Sequence, residues 1–282
     1  MSIVIENVSK SFGSVRALSN INVTFEEGKI YGLLGRNGAG KSTLLNILTD
    51  RIFPDSGTII VDGQPVSNND NALSKMYLMS EMKCYPESMK VKDAFRWTKC
   101  FYPNFDQAFA WNTASAFELN TNTKISKLST GYSSIFKLII ALSVNTPYVL
   151  LDEPVLGLDA NHRDLFYRTL LARYTERPFT IVISTHLIEE VSSIIEDVIV
   201  IHKGQVMKNG SREELLFQGY TVSGPKSLVE EYIKGKEVLG VDALGGLESA
   251  YILGQANRKD LPQGLELSGL DLQKLFVLMT GK

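Results

Sequence analysis

The chain has 282 residues, enough to bury a full core as one large domain or two, and its 29 Lys+Arg against 31 Asp+Glu leave a net charge of −2. That balance offers no basic surface for a nucleic acid, and Cys84 and Cys100 form neither a disulfide framework nor a metal-ligand spacing, which points to a reduced, cytoplasmic setting. The opening MSIVIENVSK lacks the apolar stretch of a signal peptide, and no run nears the roughly 18 apolar residues of a membrane span, so a membrane role is expected to run through a partner.

In chain order, residues 3–8 read as a strand, 9–14 as a polar turn, and 18–25 as a half-buried strand in which Ile21, Val23 and Phe25 alternate with Asn20, Asn22 and Thr24. The apolar run 30–34 leads into GRNGAGKS at 35–42 and then into the helical run 43–48. This is strand, glycine loop, helix, and it matches the phosphate-loop pattern G-x-x-x-x-G-K-[ST] at every fixed position. Glycines let the backbone curl so that successive N–H groups point inward at a polyphosphate, and the helix adds its positive end to the same anion. Lys41 would reach the terminal phosphates, and the Ser42 hydroxyl would take one position on a magnesium ion.

Beyond the loop, residues 54–57 spell a turn, 58–63 a strand ending in a hairpin, and 76–79 a short apolar run. Aromatics crowd residues 84–117, and the spacing Phe101, Phe105, Phe109 is helical with Pro103 as a break, which predicts a helical subdomain over about 84–145. Its aromatics are expected to form mostly its own core, with a few left for docking another protein. Residues 148–151 form a continuously apolar strand, 160–174 a helix, 179–184 a buried strand, 187–196 a helix, and 198–207 a hairpin turning at Lys203-Gly204. Ser211-Arg212-Glu213-Glu214 is a capping box opening a helix to Phe217. Strands alternating with helices predict an α/β domain ending near 217. Residues 220–282 read as a smaller unit, with strands at 221–223, 237–239 and 249–253, and helices at 226–234 and 271–279.

A phosphate loop binds nucleotide in many folds, so the second half of the site decides the class. Asp152, at the carboxyl end of an apolar strand, is placed to serve magnesium directly or through water, and Glu153 beside it to accept a proton from an attacking water. Read together and in order, GRNGAGKS, LSTGY at 128–132, YVLLDEP at 148–154, GLD at 157–159 and STH ending at His186 resemble an ABC-type ATPase subunit over roughly residues 1–217.

That resemblance implies an α/β P-loop NTPase fold with a RecA-like core, an antiparallel β subdomain and an inserted helical subdomain, followed here by a small α+β C-terminal domain. It implies ATP and Mg2+, with the nucleotide held by Gly35, Asn37, Gly38, Ala39, Gly40, Lys41, Ser42 and Thr43, and with Phe12 stacked on adenine. Glu153, His186 and Lys41 become the catalytic set, His186 meeting the γ-phosphate, and Asp159 lines a dimer seam. Two such subunits close head to tail, so that Ser129 and Gly131 of one grip the γ-phosphate held by the other, in a homodimer or a paralogous heterodimer. The membrane span is implied to belong to a separate permease, which would hold this chain at the cytoplasmic face of the membrane.

Three departures from the family pattern stand out. Thr130 replaces the first signature glycine; a β-branched residue resists positive φ and requires an extended or helical backbone there. Tyr132 stands where a glutamine is usual, and the basic residue expected soon after is absent, with Lys137 further on. No glutamine follows residues 76–79, so Glu81, or Ser80 in another register, would stand in as the residue that senses the metal, beside Ser42 and Asp152. The tail resembles the extensions of ABC-2-type exporter ATPases, YtrB-like subunits and exporters of amphipathic peptide toxins included, so export is the expected role. The alternatives are a soluble ABC ATPase, disfavoured by the single motif set and the absent basic run, and a weakly hydrolysing regulatory subunit, disfavoured by intact Glu153 and His186.

Overall fold

The computed structural model describes residues 1–257 and 261–281. The chain divides into two compact units, one of Met1–His186 with Ile199–Lys208 and the other of Leu187–Val198 with Asn209–Lys282.

In the first unit β1 (Ser2–Phe12) and β2 (Val15–Glu26) form an antiparallel hairpin. β1 continues through the segment that reads as a polar turn, because register shifts between Ile5 and Ser11 and a positive φ of 53° at Asn7 break the alternation that marks a strand in sequence. β3 (Ile30–Leu34) leads through the glycine loop to α1 (Lys41–Leu48). β4 (Ser56–Val61) pairs with β1, and β5 (Gln64–Pro65) with β4, which gives a four-stranded sheet in the order β2-β1-β4-β5. The short α2 (Asp70–Leu73), capped by the Asn69 side chain, returns the chain to β6 (Met76–Met79).

Three helices follow: α3 (Val91–Phe101), α4 (Gln107–Ala116) and α5 (Thr130–Ser143). β7 (Tyr148–Asp152), α6 (Ala160–Glu176), β8 (Thr180–Thr185), α7 (Ile188–Val191), β9 (Asp197–His202) and β10 (Gln205–Ser211) complete a six-stranded sheet in the order β10-β9-β3-β8-β7-β6. β3, β8, β7 and β6 run parallel, and β3 and β8 are buried along their whole length, as strands covered on both faces must be. One apolar cluster joins Ile3, Phe25 and Val61 of the antiparallel sheet to Leu44, Leu45 and Leu48 of α1 and to Leu33, Leu150 and Val182 of the other sheet. The helix that opens at the phosphate loop is therefore anchored by its whole apolar face.

The aromatics of the helical region divide between core and surface. Phe95 stacks on Phe136 at 6.2 Å and meets Trp111 edge-on at 5.8 Å, with Phe105 and Phe117 also buried. Phe101 lies on the opposite face and is 67% exposed, next to Trp97. Phe101, Phe105 and Phe109 do not share one helix: α3 ends at Phe101 and α4 begins at Gln107, with Pro103 between them.

Asp106 ties this region together. Its carboxylate caps α4 by accepting the Phe109 N–H at 2.9 Å and pairs with Arg173 at 2.8 Å, while the Arg173 guanidinium also covers the Phe109 ring at 4.4 Å. The Phe109 hydrogen bond first, and then Arg173, hold the Asp106 carboxyl below its ordinary range against the opposing effect of burial. This stability is present above the unfolded carboxyl pKa and is lost as pH falls through the lower folded value. Asp106→Ala is expected to cost about 1–2 kcal/mol at neutral pH, read by urea unfolding, and a difference that shrinks in acid is the accompanying signature.

In the second unit α8 (Arg212–Phe217) is capped by Ser211, whose hydroxyl accepts the Glu214 N–H. β11 (Gly219–Pro225), α9 (Lys226–Tyr232), β12 (Val238–Leu244), β13 (Leu247–Leu253), β14 (Glu266–Gly269) and α10 (Leu272–Thr280) follow, with an antiparallel sheet in the order β12-β13-β11-β14. Tyr220, Val222, Val229, Ala250, Ile252 and Leu265 form its core.

This unit begins before the boundary read at 217–220 and takes in residues 187–198 as well. The Arg212 side chain donates to the Ser192 carbonyl at 2.7 Å, its N–H to the Glu196 carbonyl at 2.8 Å, and the Glu189 N–H to the Gln273 side chain at 3.3 Å. The helix expected over 187–196 stops at Val191, where the Ser192 hydroxyl turns back onto the Glu189 carbonyl at 3.0 Å.

Candidate active site at the phosphate loop

Register sets the site. Leu34 of β3 lies beside Thr185 of β8, and Ser184 beside Asp152 of β7, so the residues that follow the three strands, Gly35, His186 and Glu153, emerge at one edge of the parallel sheet. The loop from Gly35 then closes by glycine geometry. A Cβ on Gly35 would sit 2.6 Å from the Ile201 carbonyl, and one on Gly40 would sit 2.6 Å from the Ala17 carbonyl at a φ of 109°. Gly40 begins α1 with no side-chain cap and no acidic residue in the first turn, so the helix presents its positive end uncompensated. The cavity in front of it has a volume of about 430 Å³ and is lined by residues 37–43 together with Glu153. Such a donor set fits a polyphosphate.

Lys41 and Glu153 carry the charge. The Lys41 side chain is 5% exposed; its ammonium donates to the Gly35 carbonyl at 2.7 Å and lies 3.6 Å from Glu153 Oε1. Burial pulls the Lys41 pKa down, and Glu153 and Asp152 oppose that shift. Glu153 has a φ of 47°, an uncommon conformation for a residue with a side chain, held by its N–H donating to the Ser184 carbonyl at 2.8 Å. Its Oε2 accepts from Thr185 Oγ1 at 3.1 Å, and its Oε1 lies 2.9 Å from His186 Nδ1. Asp152 Oδ1 accepts from Ser184 Oγ at 2.8 Å. A carboxylate oriented in this way, beside an imidazole and a buried ammonium, can take a proton from water.

A second cavity of about 480 Å³ opens on the other side of Glu153, lined by Ser80, Glu81, Thr130, Lys137, Asp152 and Glu153 among others. Ser80 is committed: its carbonyl accepts from Lys137 at 2.8 Å and its hydroxyl from Arg51 at 3.3 Å. Glu81 is exposed and lines the same cavity. The proposed metal set is therefore divided, with Ser42 in the phosphate-loop cavity, Asp152 and Glu81 in the second, and Glu153 lining both. Among the described residues no three His, Cys, Asp or Glu side chains cluster as a metal cage. The Ser42 hydroxyl and the Asp152 carboxylate are the oxygen donors that would hold a magnesium ion, which would supply positive charge against a bound phosphate.

The signature segment stands apart from the phosphate loop. Thr130 takes a helical conformation as the first residue of α5, and the Ser129 hydroxyl caps that helix by accepting the Tyr132 N–H at 3.3 Å. Gly131 faces Gly157 so closely that a Cβ on it would be 3.0 Å from the Gly157 carbonyl, while Thr130 Cγ2 lies 3.1 Å from where a Cβ on Gly157 would be. Asp159 caps α6 and pairs with His162, whose ring stacks on Phe117 and meets Tyr132 edge-on. Neither Ser129 nor Gly131 lines the cavity in front of α1. Phe12 ends β1 opposite Val15 and is 48% exposed. Sequence reasoning passed over Val15, Arg16, Lys203 and Gly204, which also line the phosphate-loop cavity. A Lys-Gly turn was legible at 203–204, but its closeness to the loop is a long-range contact with no local signal.

Residues 18–156 match the ABC transporter family. Over 220 residues the chain is 33% identical to the Nod factor export ATP-binding protein I of Burkholderia lata, a match covering 74% of this chain and 71% of that protein. The chain belongs to the ABC transporter ATPase family. It is also 30% identical over 189 residues to the ABC transporter ATP-binding protein YtrB of Bacillus subtilis, covering 67% of this chain and 65% of YtrB, under two thirds of that protein's length. The petrobactin import ATP-binding protein YclP of Bacillus subtilis is 29% identical over 224 residues, covering 75% of this chain and 88% of YclP. The fold is similar to that of a solved bacterial ABC transporter cassette, MJ0796, whose structure is dimeric, with a TM-score of 0.66 at 24% identity over 74% of this chain and 98% of that one. The chain is thus a P-loop ATPase of the ABC type. Among its described residues no helix is long and apolar enough to cross a membrane.

Proposed function

We propose that this ATPase powers an exporter by closing head to tail with a second copy of itself on ATP. The observation that carries the reading is the division of the site. Lys41, Glu153 and His186 converge at one edge of the sheet, while Ser129 and Gly131 crown a different helix and line none of the phosphate-loop cavity. One chain carries Lys41, Glu153 and His186 as well as Ser129 and Gly131, so two copies would make two sites.

Within such a site Lys41 and the first N–H groups of α1 bind the β- and γ-phosphates, and Phe12 stacks on the adenine. Glu153 accepts the proton of the attacking water as the new oxygen–phosphorus bond forms and the bond to ADP breaks. His186, fixed against Glu153, faces the γ-phosphate. Ser42 and Asp152 would hold a magnesium ion, with Glu81 as the residue that senses it, and the ion would supply positive charge against the phosphates.

A separate membrane subunit would dock where Trp97, Phe101 and Met82 are exposed, 36%, 67% and 54% respectively, next to Tyr85, which lines the second cavity and meets Trp97 edge-on. The cargo is read as an amphipathic peptide or another hydrophobic compound, and the assembly as lying at the cytoplasmic face of the membrane. Co-purification with a candidate permease, followed by transport assays in proteoliposomes, tests this. Phe101→Asp should abolish ATPase stimulation by that partner and leave the basal rate intact, whereas unchanged stimulation would remove this surface from the reading.

A further inference from the structure

The turn between β9 and β10 reaches the phosphate-loop cavity from a distant part of the sequence. Lys203 and Gly204 both have positive φ, 47° and 75°, the geometry of a tight two-residue hairpin. The turn is fastened on both sides: the Gly204 N–H donates to the Ala39 carbonyl of the phosphate loop at 3.0 Å, and the Gly204 carbonyl accepts from the Ser19 N–H of β2 at 2.8 Å. There is no room to shift it, since a Cβ on Gly204 would sit 2.6 Å from the Ala17 carbonyl. Lys203 is thereby placed on the wall of the cavity that holds Lys41, Ser42 and Thr43, with Arg16 of β2 on the same wall. Both side chains are exposed, and among the described residues no carboxylate pairs with either. The single acidic side chain on that cavity, Glu153, is already engaged by Thr185, His186 and Lys41.

We propose that Lys203 is a nucleotide-binding residue, a second cation that acts with Arg16 on the phosphate chain of a nucleoside triphosphate. The proposal rests on the phosphate-loop reading and extends it to a part of the chain where no motif points to nucleotide. A hairpin hydrogen-bonded to the loop it serves moves with that loop, so the ammonium keeps its place with little ordering cost. An unpaired charge at the mouth of an anion site strengthens binding through its field, and that contribution weakens as salt rises.

The test uses the full chain and calorimetry with MgATP, MgADP and adenosine. Lys203→Asn keeps the positive φ, which asparagine tolerates, and removes the charge. The expected result is about 3- to 10-fold weaker MgATP binding at low salt, a smaller loss for MgADP, none for adenosine, and a gap that narrows in 0.5 M salt, in keeping with a screened charge. Lys203→Arg should restore affinity. Gly204→Ala, which keeps the lysine but displaces the turn, should lose MgATP affinity in the same sense. Wild-type affinity in Lys203→Asn, or a loss equal for adenosine, would overturn the proposal. Lys41→Ala separates the two readings: if it alone loses MgATP binding, only the role of Lys203 fails, and if it binds as the wild type does, the phosphate-loop reading fails with it.

Discussion

Glu153→Gln is expected to bind ATP with wild-type affinity and to lose turnover by about 10²- to 10⁴-fold, the range for removing a positioned general base. The substitution keeps size and shape. The amide oxygen can still accept from Thr185 Oγ1, now 3.1 Å from Glu153 Oε2, and the backbone that holds the unusual φ of 47° is untouched. What is lost is the ability to take a proton, together with the charge facing Lys41 and His186. ATP then persists in a closed pair of subunits, so a longer-lived dimer in light scattering should accompany the loss of phosphate release. Phosphate release at the wild-type rate would remove Glu153 from the chemistry.

Lys41→Ala is expected to weaken MgATP binding by about 100-fold or more in calorimetry, since a buried, charge-assisted contact to phosphate is lost along with the cation nearest Glu153. With its side chain 5% exposed and its ammonium donating to the Gly35 carbonyl at 2.7 Å and lying 3.6 Å from Glu153 Oε1, the lysine is held as a single point charge. Lys41→Arg should therefore fail as well, because a planar fork does not replace a point charge in a closed site. Burial pulls the Lys41 pKa down, so its positive charge is lost at a lower pH than that of an exposed lysine. MgATP affinity in the wild type should accordingly decline on the alkaline side, and bound phosphate should push that decline to higher pH.

How much of this was legible differs from one residue to the next, and the reason is distance along the chain. The phosphate loop could be read because strand, glycine turn and helix are consecutive: Ile30–Leu34 is fully buried, and Lys41–Leu48 begins where the motif ends. The Asp152-Glu153 pair could be read because an apolar strand ends on it. The three-way contact of Glu153 with Thr185, His186 and Lys41 depends on strand order, in which β8 lies between β3 and β7, and nothing local encodes it. The same holds for the turn at Lys203, and for the tie of residues 187–198 to the C-terminal unit through Arg212. β1 was underestimated because bulges hide its alternation, and the helix after His186 was overestimated because Ser192 turns the chain early. Ser80 and Glu81 could not be told apart by sequence, and both line the second cavity, with Ser80 also bonded to Lys137 and Arg51.

The division of the active site between two copies is tested most directly by mixing two inactive variants. Lys41→Ala disables the phosphate loop, and Ser129→Arg removes the hydroxyl that caps α5 and sets a cation in its place. Each variant alone should hydrolyse no ATP. In a pair that contains one of each, isolated through two different affinity tags, one site combines both defects and the other is wild type in both halves. About half the wild-type rate per pair is expected if the two sites act independently. A mixed pair as inactive as its parents would contradict the shared site and place the whole reaction within one chain.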